Sequence, residues 1–480
     1  MKTVRTRFAP SPTGFIHLGN LRSALFTYLI AKSQRGDFLL RIEDTDQKRL
    51  VEGAIDVVYN TLKECGLNWD EGPDKGGDYG PYIQSERMGN YKQYALDLVE
   101  KGEAYPCFCS EERISSLRDA ANEKKETFFY DRHCLNLDPE EVKTRMESEK
   151  FVIRQKTPDS GETAFSCQVY GDIAIQNELI EDQVLLKSDG YPTYNFANVV
   201  DDHLMNITHV VRGNEYLTST PKYTLLYNAF GWKEPIYVHL PLVVKEGGKK
   251  LSKREGDAYF SDFIAKGYLP EAIVNHLALL GWSPEGKKEI FDLNKLEQIF
   301  SVKRISTSPS AFDVKKLDWI NNSYIKKADP ERIFALAKPF LDEAYDTNSY
   351  GEEKLRKLVG LYQSRLNYVA QIVDEVEVFF NEGLTVDEES IEFMKQEGVA
   401  NTITIFKDLV ENTADFETET IKELINSVKE QADVKGKMLF MPLRIASSKL
   451  MHGADLVESI VLLGKEKVLV NIETILKQVS

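Results

Sequence analysis

Two segments far apart in the chain hold residue types suited to phosphate chemistry. Pro10-Ser-Pro-Thr-Gly14 leads into His17-Leu-Gly-Asn20. Two prolines stiffen the loop, and Gly14 permits a turn that a side chain would forbid. Apolar spacing resumes at Leu18, so the loop opens onto a helix start whose unpaired N–H groups face outward. His17 can hydrogen-bond a phosphate oxygen whether neutral or charged, and Gly19 lets a ribose or base come close. Taken alone, the segment is equally a helix cap with a chance histidine. The second segment, Lys245-Glu-Gly-Gly-Lys-Lys-Leu-Ser-Lys-Arg254, is a glycine-hinged loop with five cations. Solvation explains most charge runs. This one follows the last predicted strand of a sheet, on the side where open α/β sheets bind ligands. Mobile cations beside a rigid His-Gly edge suit displacement at an α-phosphate, where charge moves onto departing pyrophosphate. Neither Gly-x-x-x-x-Gly-Lys-Ser/Thr nor Gly-x-Gly-x-x-Gly occurs, which excludes P-loop and dinucleotide-fingerprint chemistry.

The elements that must hold these segments alternate. Val4–Phe8 is strand-like, Leu18–Ser33 has amphipathic helical spacing, and Gly36 marks its end. Asp37–Ile42 is the next strand, ending in Glu43-Asp-Thr-Asp46, and Val51–Cys65 is helical. Strand, helix, strand, helix predicts a parallel sheet with crossovers. From about Tyr82 to Lys187 the pattern is irregular, with charged helices at Glu111–Lys125 and Pro139–Lys150 and short strands at Phe151–Lys156 and Val184–Leu186. This reads as an insertion. Strands return at Ile207–Arg212 and Ile236–His239 around a helix at Pro221–Phe230. Beyond Asp257 the chain is mostly helical. Gly267–Trp282 and Pro309–Asn321 read as one unit, and Asp329–Ser480 is a run of amphipathic helices.

The two loops are similar to the paired signatures of class I aminoacyl-tRNA synthetases, His17-Leu-Gly-Asn20 and Lys250-Leu-Ser-Lys-Arg254. Further stretches narrow the likeness: Arg7–Gly14, Leu40-Arg-Ile-Glu-Asp-Thr-Asp46, Tyr191–Asp202 and Phe440-Met-Pro-Leu-Arg444 resemble bacterial-type glutamyl-tRNA synthetases over essentially the whole chain. Asn20 stands where the general signature has a second histidine, a position at which the glutamyl branch varies. The resemblance implies an α/β fold: a Rossmann-type parallel-sheet catalytic domain with an inserted acceptor-binding domain, then an all-α anticodon-binding region. The boundaries expected are 1–82 and 191–250 for the catalytic halves, 83–190 for the insert, 251–328 for a stem-contact region, and 329–480 for the helical region. It further implies glutamate activation with ATP and Mg²⁺, then transfer to the 3′-terminal adenosine of tRNA(Glu). The rival glutaminyl enzyme would end in β-barrels, and a short queuosine-modifying paralogue would lack the tail.

Glutamate carries two carboxylates and one ammonium, so its pocket needs two cationic sites and an anion. Arg7 and Arg212, each at a strand end, can pair bidentately with carboxylate. Glu43 supplies the anion and Ser11 can assist. Tyr194 and Asn198, four apart, share a helical face. Read singly, Arg7 and Glu43 are equally a salt bridge between strands, and Tyr194 a core residue. The resemblance assigns these six to glutamate. It assigns Pro12, Thr13, Gly14, His17, Gly19, Asn20, Glu215, Lys250, Leu251, Ser252, Lys253 and Arg254 to ATP, with His17, Gly19 and Lys253 catalytic.

Five cysteines do not make a disulfide framework. Cys65 and Cys167 read as isolated buried thiols. Cys107, Cys109 and Cys134 can supply three thiolates to a tetrahedral zinc. The residues leave the fourth ligand open between Tyr130 and His133. Imidazole is the commoner ligand, but His133 adjoins Cys134, which makes joint chelation awkward. A zinc pattern found in some family members, Cys-x-Cys…Tyr-x-x-x-Cys, selects Tyr130 for a structural Zn²⁺. The resemblance also points to Ser308–Asn322, with Phe312, Lys315, Lys316 and Trp319, as a tRNA stem contact. Arg365 and Arg444 are anticodon candidates, or equally solvated or structural arginines. The net charge of −16 excludes broad nonspecific nucleic-acid binding but not a local basic face. No signal-peptide or membrane-spanning run is evident, so a cytoplasmic monomer is expected.

Overall fold

The computed structural model describes residues 3–46, 49–245 and 259–479. Its contacts divide the chain into two compact units, Met1–Phe263 with Ile273–Val314, and Ile264–Ala272 with Lys315–Ser480.

In the first unit, β1 (Arg5–Phe8) and β2 (Asp37–Leu40) run parallel, with Arg5 opposite Asp37 and Phe8 opposite Leu40. The crossover between them is α1 (Leu18–Lys32). Every residue from Ala24 to Ala31 is buried, so α1 is a core helix rather than the amphipathic one its spacing suggested. Arg22 is buried with it, and donates from Nε to Leu280 O at 2.7 Å and from Nη1 to Pro241 O at 2.7 Å. The helix α2 (Ala54–Glu64) follows, then α3 (Met88–Glu100).

The segment expected to be inserted contains a three-stranded antiparallel sheet of β3 (Ala104–Cys107), β4 (Val152–Gln155) and a later strand, with α4 (Glu111–Glu123) and α5 (Pro139–Ser148) between the first two. A hairpin, β5 (Glu162–Cys167) and β6 (Gly171–Gln176), comes next. Thr163, Phe165 and Cys167 alternate inward from it, and Cys167 pairs in parallel with Tyr237. The sequence left this hairpin within an irregular stretch, yet it extends the sheet that carries the later strands. The third strand of the small sheet, β7 (Val184–Leu186), leads to α6 (Tyr194–Leu204).

The second pair of sheet strands is β8 (His209–Gly213) and β9 (Ile236–Leu240), parallel from His209–Ile236 to Gly213–Leu240, with α7 (Thr220–Phe230) as crossover. β1 lies beside β8, where Thr208 N–H donates to Arg5 O at 2.9 Å. This is a Rossmann-type arrangement, with β1 and β8 adjacent and ending near one another. Beyond β9, β10 (Val243–Lys245) pairs in parallel with β11 (Ser310–Phe312).

In the second unit, the described residues from Pro330 onward form helices and no strand. Ile333, Phe334, Ala337 and Leu341 bury one stripe of Pro330–Ala344, and Thr402, Ile403, Phe406 and Val410 one stripe of Val399–Glu411. That 3.6-residue spacing makes each helix stable only against its neighbours.

Candidate active site

The loop after β1 is fastened from both sides. Glu43 N–H donates to Pro10 O at 3.0 Å and Thr13 N–H to Ser11 O at 2.9 Å. Gly14 has φ +116°, which makes the turn costly for any other residue. Pro12 is buried, whereas Ser11, Thr13 and Asn20 are exposed. His17 is the N-cap of α1: its Nδ1 accepts from Gly19 N–H at 3.1 Å. The helix cap and the residue expected to face phosphate are therefore one and the same. An accepting Nδ1 puts the neutral ring's proton on Nε2, which makes that nitrogen a donor.

Tyr259 and Phe260 meet this loop. Tyr259 forms a β-bridge with His17, and Phe260 N–H donates to Ile16 O at 3.2 Å. The ring of Tyr259 lies 5.8 Å from Phe15 and 6.2 Å from His17. Lys250, Leu251, Ser252, Lys253 and Arg254 lie outside the described residues. Glu215 is exposed in the turn after β8.

A cluster of buried charge lies beside the loop. Arg7 and Arg212 come from the carboxyl-side ends of β1 and β8, Glu43 from just beyond β2, and Tyr194 and Asn198 from the first turns of α6. Arg7, Glu43, Asn198 and Arg212 are all buried. Arg7 and Glu43 do not pair with each other. Arg7 Nε donates to Asp202 Oδ1 at 2.8 Å, and Glu43 Oε1 accepts from Arg41 Nη2 at 2.9 Å. Arg41 Nη1 also reaches Asp202 Oδ1 at 2.8 Å. Behind them, Asp201 takes Arg87 Nε at 2.7 Å, Gln84 Nε2 at 2.8 Å and the Tyr91 hydroxyl at 2.8 Å. Sequence reasoning missed Arg41, Asp201 and Asp202. The signal was present in Arg41, since a charge between Leu40 and Ile42 of an apolar strand must be paired.

Several buried polar atoms have no hydrogen-bond partner among the described residues: Arg212 Nε and Nη1, Glu43 Oε2 and Asn198 Oδ1. Asn198 Nδ2 turns back to Tyr194 O at 2.7 Å, which leaves its oxygen to the pocket. Arg212 has no carboxylate partner among the described residues. It is lined by the rings of Tyr223 at 4.6 Å, Tyr216 at 5.4 Å and Tyr237 at 5.8 Å. Burial, opposed by Arg41 and Arg7, pushes the Glu43 carboxyl above its ordinary value. Tyr194 is 36% exposed, while desolvation of its hydroxyl and then nearby Glu43 raise its pKa. Burial and then Arg212 lower His239 to about 3, so that it is neutral. Unpaired donors and unpaired acceptors within one buried cluster suit a ligand carrying both carboxylate and ammonium.

The cysteines form a separate group. The sulfurs of Cys107, Cys109 and Cys134 lie within 4.8 Å of one another. The Tyr130 hydroxyl is 3.3 Å from Cys107 Sγ and 3.2 Å from Cys109 Sγ. Bonds of about 2.3 Å at tetrahedral angles separate two zinc-bound sulfurs by about 3.8 Å. Cys109 and Cys134 are 3.6 Å apart, so the donor set fits that ion. Hydrogen bonding from Cys134, against burial, holds the Cys107 thiol down while Cys134 is pushed up. His133 is exposed and outside the group.

In the expected stem-contact segment Phe312 is buried, with its ring 5.7 Å from Phe263, whereas Trp319 is 49% exposed. Arg365 is bound to Glu375 at 2.9 Å and to Gly453 O at 3.1 Å. Arg444 is half-buried, which lowers its pKa.

Residues 3–319 match the family model for the catalytic domain of class I tRNA synthetases (E and Q), and residues 332–476 match an anticodon-binding domain. A glutamate–tRNA ligase of Clostridium botulinum is 48% identical over 98% of this chain and 97% of its own. One from Clostridium novyi is 51% identical over 93% and 92%. Among solved structures, a glutamate tRNA ligase of Elizabethkingia meningosepticum, in complex with its amino acid, superposes with a TM-score of 0.89. It is 34% identical and both chains are fully covered. Catalytic domain, helical tail and full-length relatives agree: the chain belongs to the glutamate–tRNA ligase family of class I tRNA synthetases.

Proposed function

We propose that the pocket between Arg7, Glu43, Tyr194, Asn198 and Arg212 is where this glutamate–tRNA ligase binds its amino acid, with Ser11 at its rim. The observation that carries the reading is the set of unpartnered buried atoms, Arg212 Nε and Nη1 facing the need of a carboxylate and Glu43 Oε2 that of an ammonium. Leaving such groups unpaired costs about 1–3 kcal/mol each, which a matching substrate recovers. Glutamine would present a neutral amide to a buried guanidinium that has no other anion.

The enzyme activates glutamate with ATP, releases pyrophosphate and transfers the glutamyl group to tRNA. The attacking α-carboxylate is already ionised at neutral pH, so no general base is required. Catalysis is then positioning and charge stabilisation. His17 Nε2–H donates to a phosphate oxygen, and Gly19 with Pro12, Thr13, Gly14 and Asn20 gives the nucleotide a close backbone edge. Lys253, with Lys250, Leu251, Ser252 and Arg254, contacts the phosphates, and Glu215 lies beside ATP. Mg²⁺ would neutralise phosphate charge. Cys107, Cys109, Tyr130 and Cys134 would hold a structural Zn²⁺, since four donors already converge at ligating spacing.

ATP–pyrophosphate exchange, with and without tRNA, tests the reading using glutamate and glutamine. Exchange with glutamate plus tRNA and none with glutamine is expected. No exchange with glutamate plus tRNA contradicts it.

A further inference from the structure

Asp202 has no role in the site as read above, although it touches the site from behind. It is 2% exposed, and its Oδ1 accepts from both Arg7 Nε and Arg41 Nη1 at 2.8 Å. Arg41 is fully buried and its second arm holds Glu43 Oε1 at 2.9 Å. Three contacts in a row thus join the arginine and the carboxylate assigned to opposite charges of the substrate.

Arg7 stands on β1 and Glu43 just beyond the end of the neighbouring parallel strand β2, and the field of Arg7 reaches Glu43. Nothing in their chemistry prevents a direct salt bridge, which would be strong in so buried a place and would occupy both substrate ligands. The observed arrangement gives each a partner on its far side instead. Arg7 is held by Nε alone, with its terminal Nη atoms uncommitted among the described residues. Glu43 is held by Oε1, with Oε2 unpartnered. Against burial, Arg7 and Arg41 keep the Asp202 carboxyl below its usual range, so it stays charged at neutral pH.

We infer that Asp202, acting with Arg41, is a positioning residue that holds Arg7 and Glu43 apart and so keeps the glutamate pocket open. The inference rests on the glutamate-site reading. Asp202→Asn keeps the shape and an acceptor oxygen but removes the charge that competes with Glu43 for Arg7. Arg41→Lys keeps the charge but cannot span Asp202 and Glu43 at once.

The test is tRNA charging by the full-length enzyme, with KM measured separately for glutamate and ATP and with Tm recorded. The variants are Asp202→Asn, Arg41→Lys, Arg7→Lys, Glu43→Gln and the double variant Asp202→Asn/Glu43→Gln. The expected result is a rise of at least about tenfold in glutamate KM for Asp202→Asn and Arg41→Lys, with ATP KM within about twofold. The double variant should be little worse than the single ones, because the residues act as a unit. If Asp202→Asn does not fold, Arg41→Lys carries the result. Unchanged glutamate KM in the positioning variants, while Arg7→Lys and Glu43→Gln raise it, overturns the inference alone. Unchanged glutamate KM in Arg7→Lys and Glu43→Gln overturns the site reading and the inference with it.

Discussion

A histidine that caps its own helix is committed to one tautomer. His17 accepts at Nδ1 from Gly19 N–H, so in the neutral ring Nε2 carries the proton that the proposed phosphate contact requires. The signature was legible as residue types, but the tautomer required the backbone. Glu43 makes a second point at this scale. Its burial raises its pKa even against Arg41 and Arg7, so it protonates at a pH above the ordinary value of about 4.3. A protonated Glu43 no longer attracts an ammonium. Glutamate kcat/KM should therefore fall on acidification with a limb above the ordinary carboxylate range. In Glu43→Gln that limb should vanish, although activity is lower throughout. A pH profile of glutamate kcat/KM for both proteins checks this, and an identical limb in the variant contradicts it. Asp201 and Asp202 were hidden for a plain reason: two acids near the end of a helix read as solvent-facing unless their partners, Arg41 and Arg87, are known to be buried.

Among elements, the sequence carried the strand–helix alternation of β1 to β2 and of β8 to β9 well, because turns and apolar runs delimit each. The hairpin of β5 and β6 was missed. Its inward Thr163, Phe165 and Cys167 alternate at period two, but Thr and Cys weaken the apolar signal. No local pattern announces the pairing of Cys167 with Tyr237, which depends on distant chain. The end of β3 carries Cys107, and the turn at His133–Asn136 carries Cys134, so the proposed zinc ties a strand of the small sheet to a separate turn. The adjoining helices α4 and α5 bury none of their residues, leaving this part little core of its own. Purified protein should hold about one equivalent of zinc. Cys109→Ser or Cys134→Ser should lose it and unfold at lower temperature, with the loss confined to metal-replete samples. Elemental analysis with thermal melts checks this. Metal-free protein of unchanged Tm contradicts it.

For the whole molecule, a net charge of −16 requires that RNA be met by local surface rather than by the average field. The helix Val314–Ile325, in the expected stem-contact segment, would supply such a surface: Leu317 and Ile320 are buried, while Lys315 and Trp319, four apart, are exposed. Trp319→Ala should raise tRNA KM by about tenfold, within the range of a lost aromatic–nucleic acid contact, with glutamate KM and Tm unchanged. Steady-state charging at varied tRNA checks this. Among the described residues no helix is long and apolar enough to cross a membrane. The proposed glutamate site depends above all on Arg212, a buried guanidinium with no carboxylate partner among the described residues. The most direct test is the glutamate KM of Arg212→Gln in tRNA charging. A rise of about 100-fold, or about 2.7 kcal/mol, with ATP KM unchanged is the expected result. An unchanged glutamate KM would contradict the account.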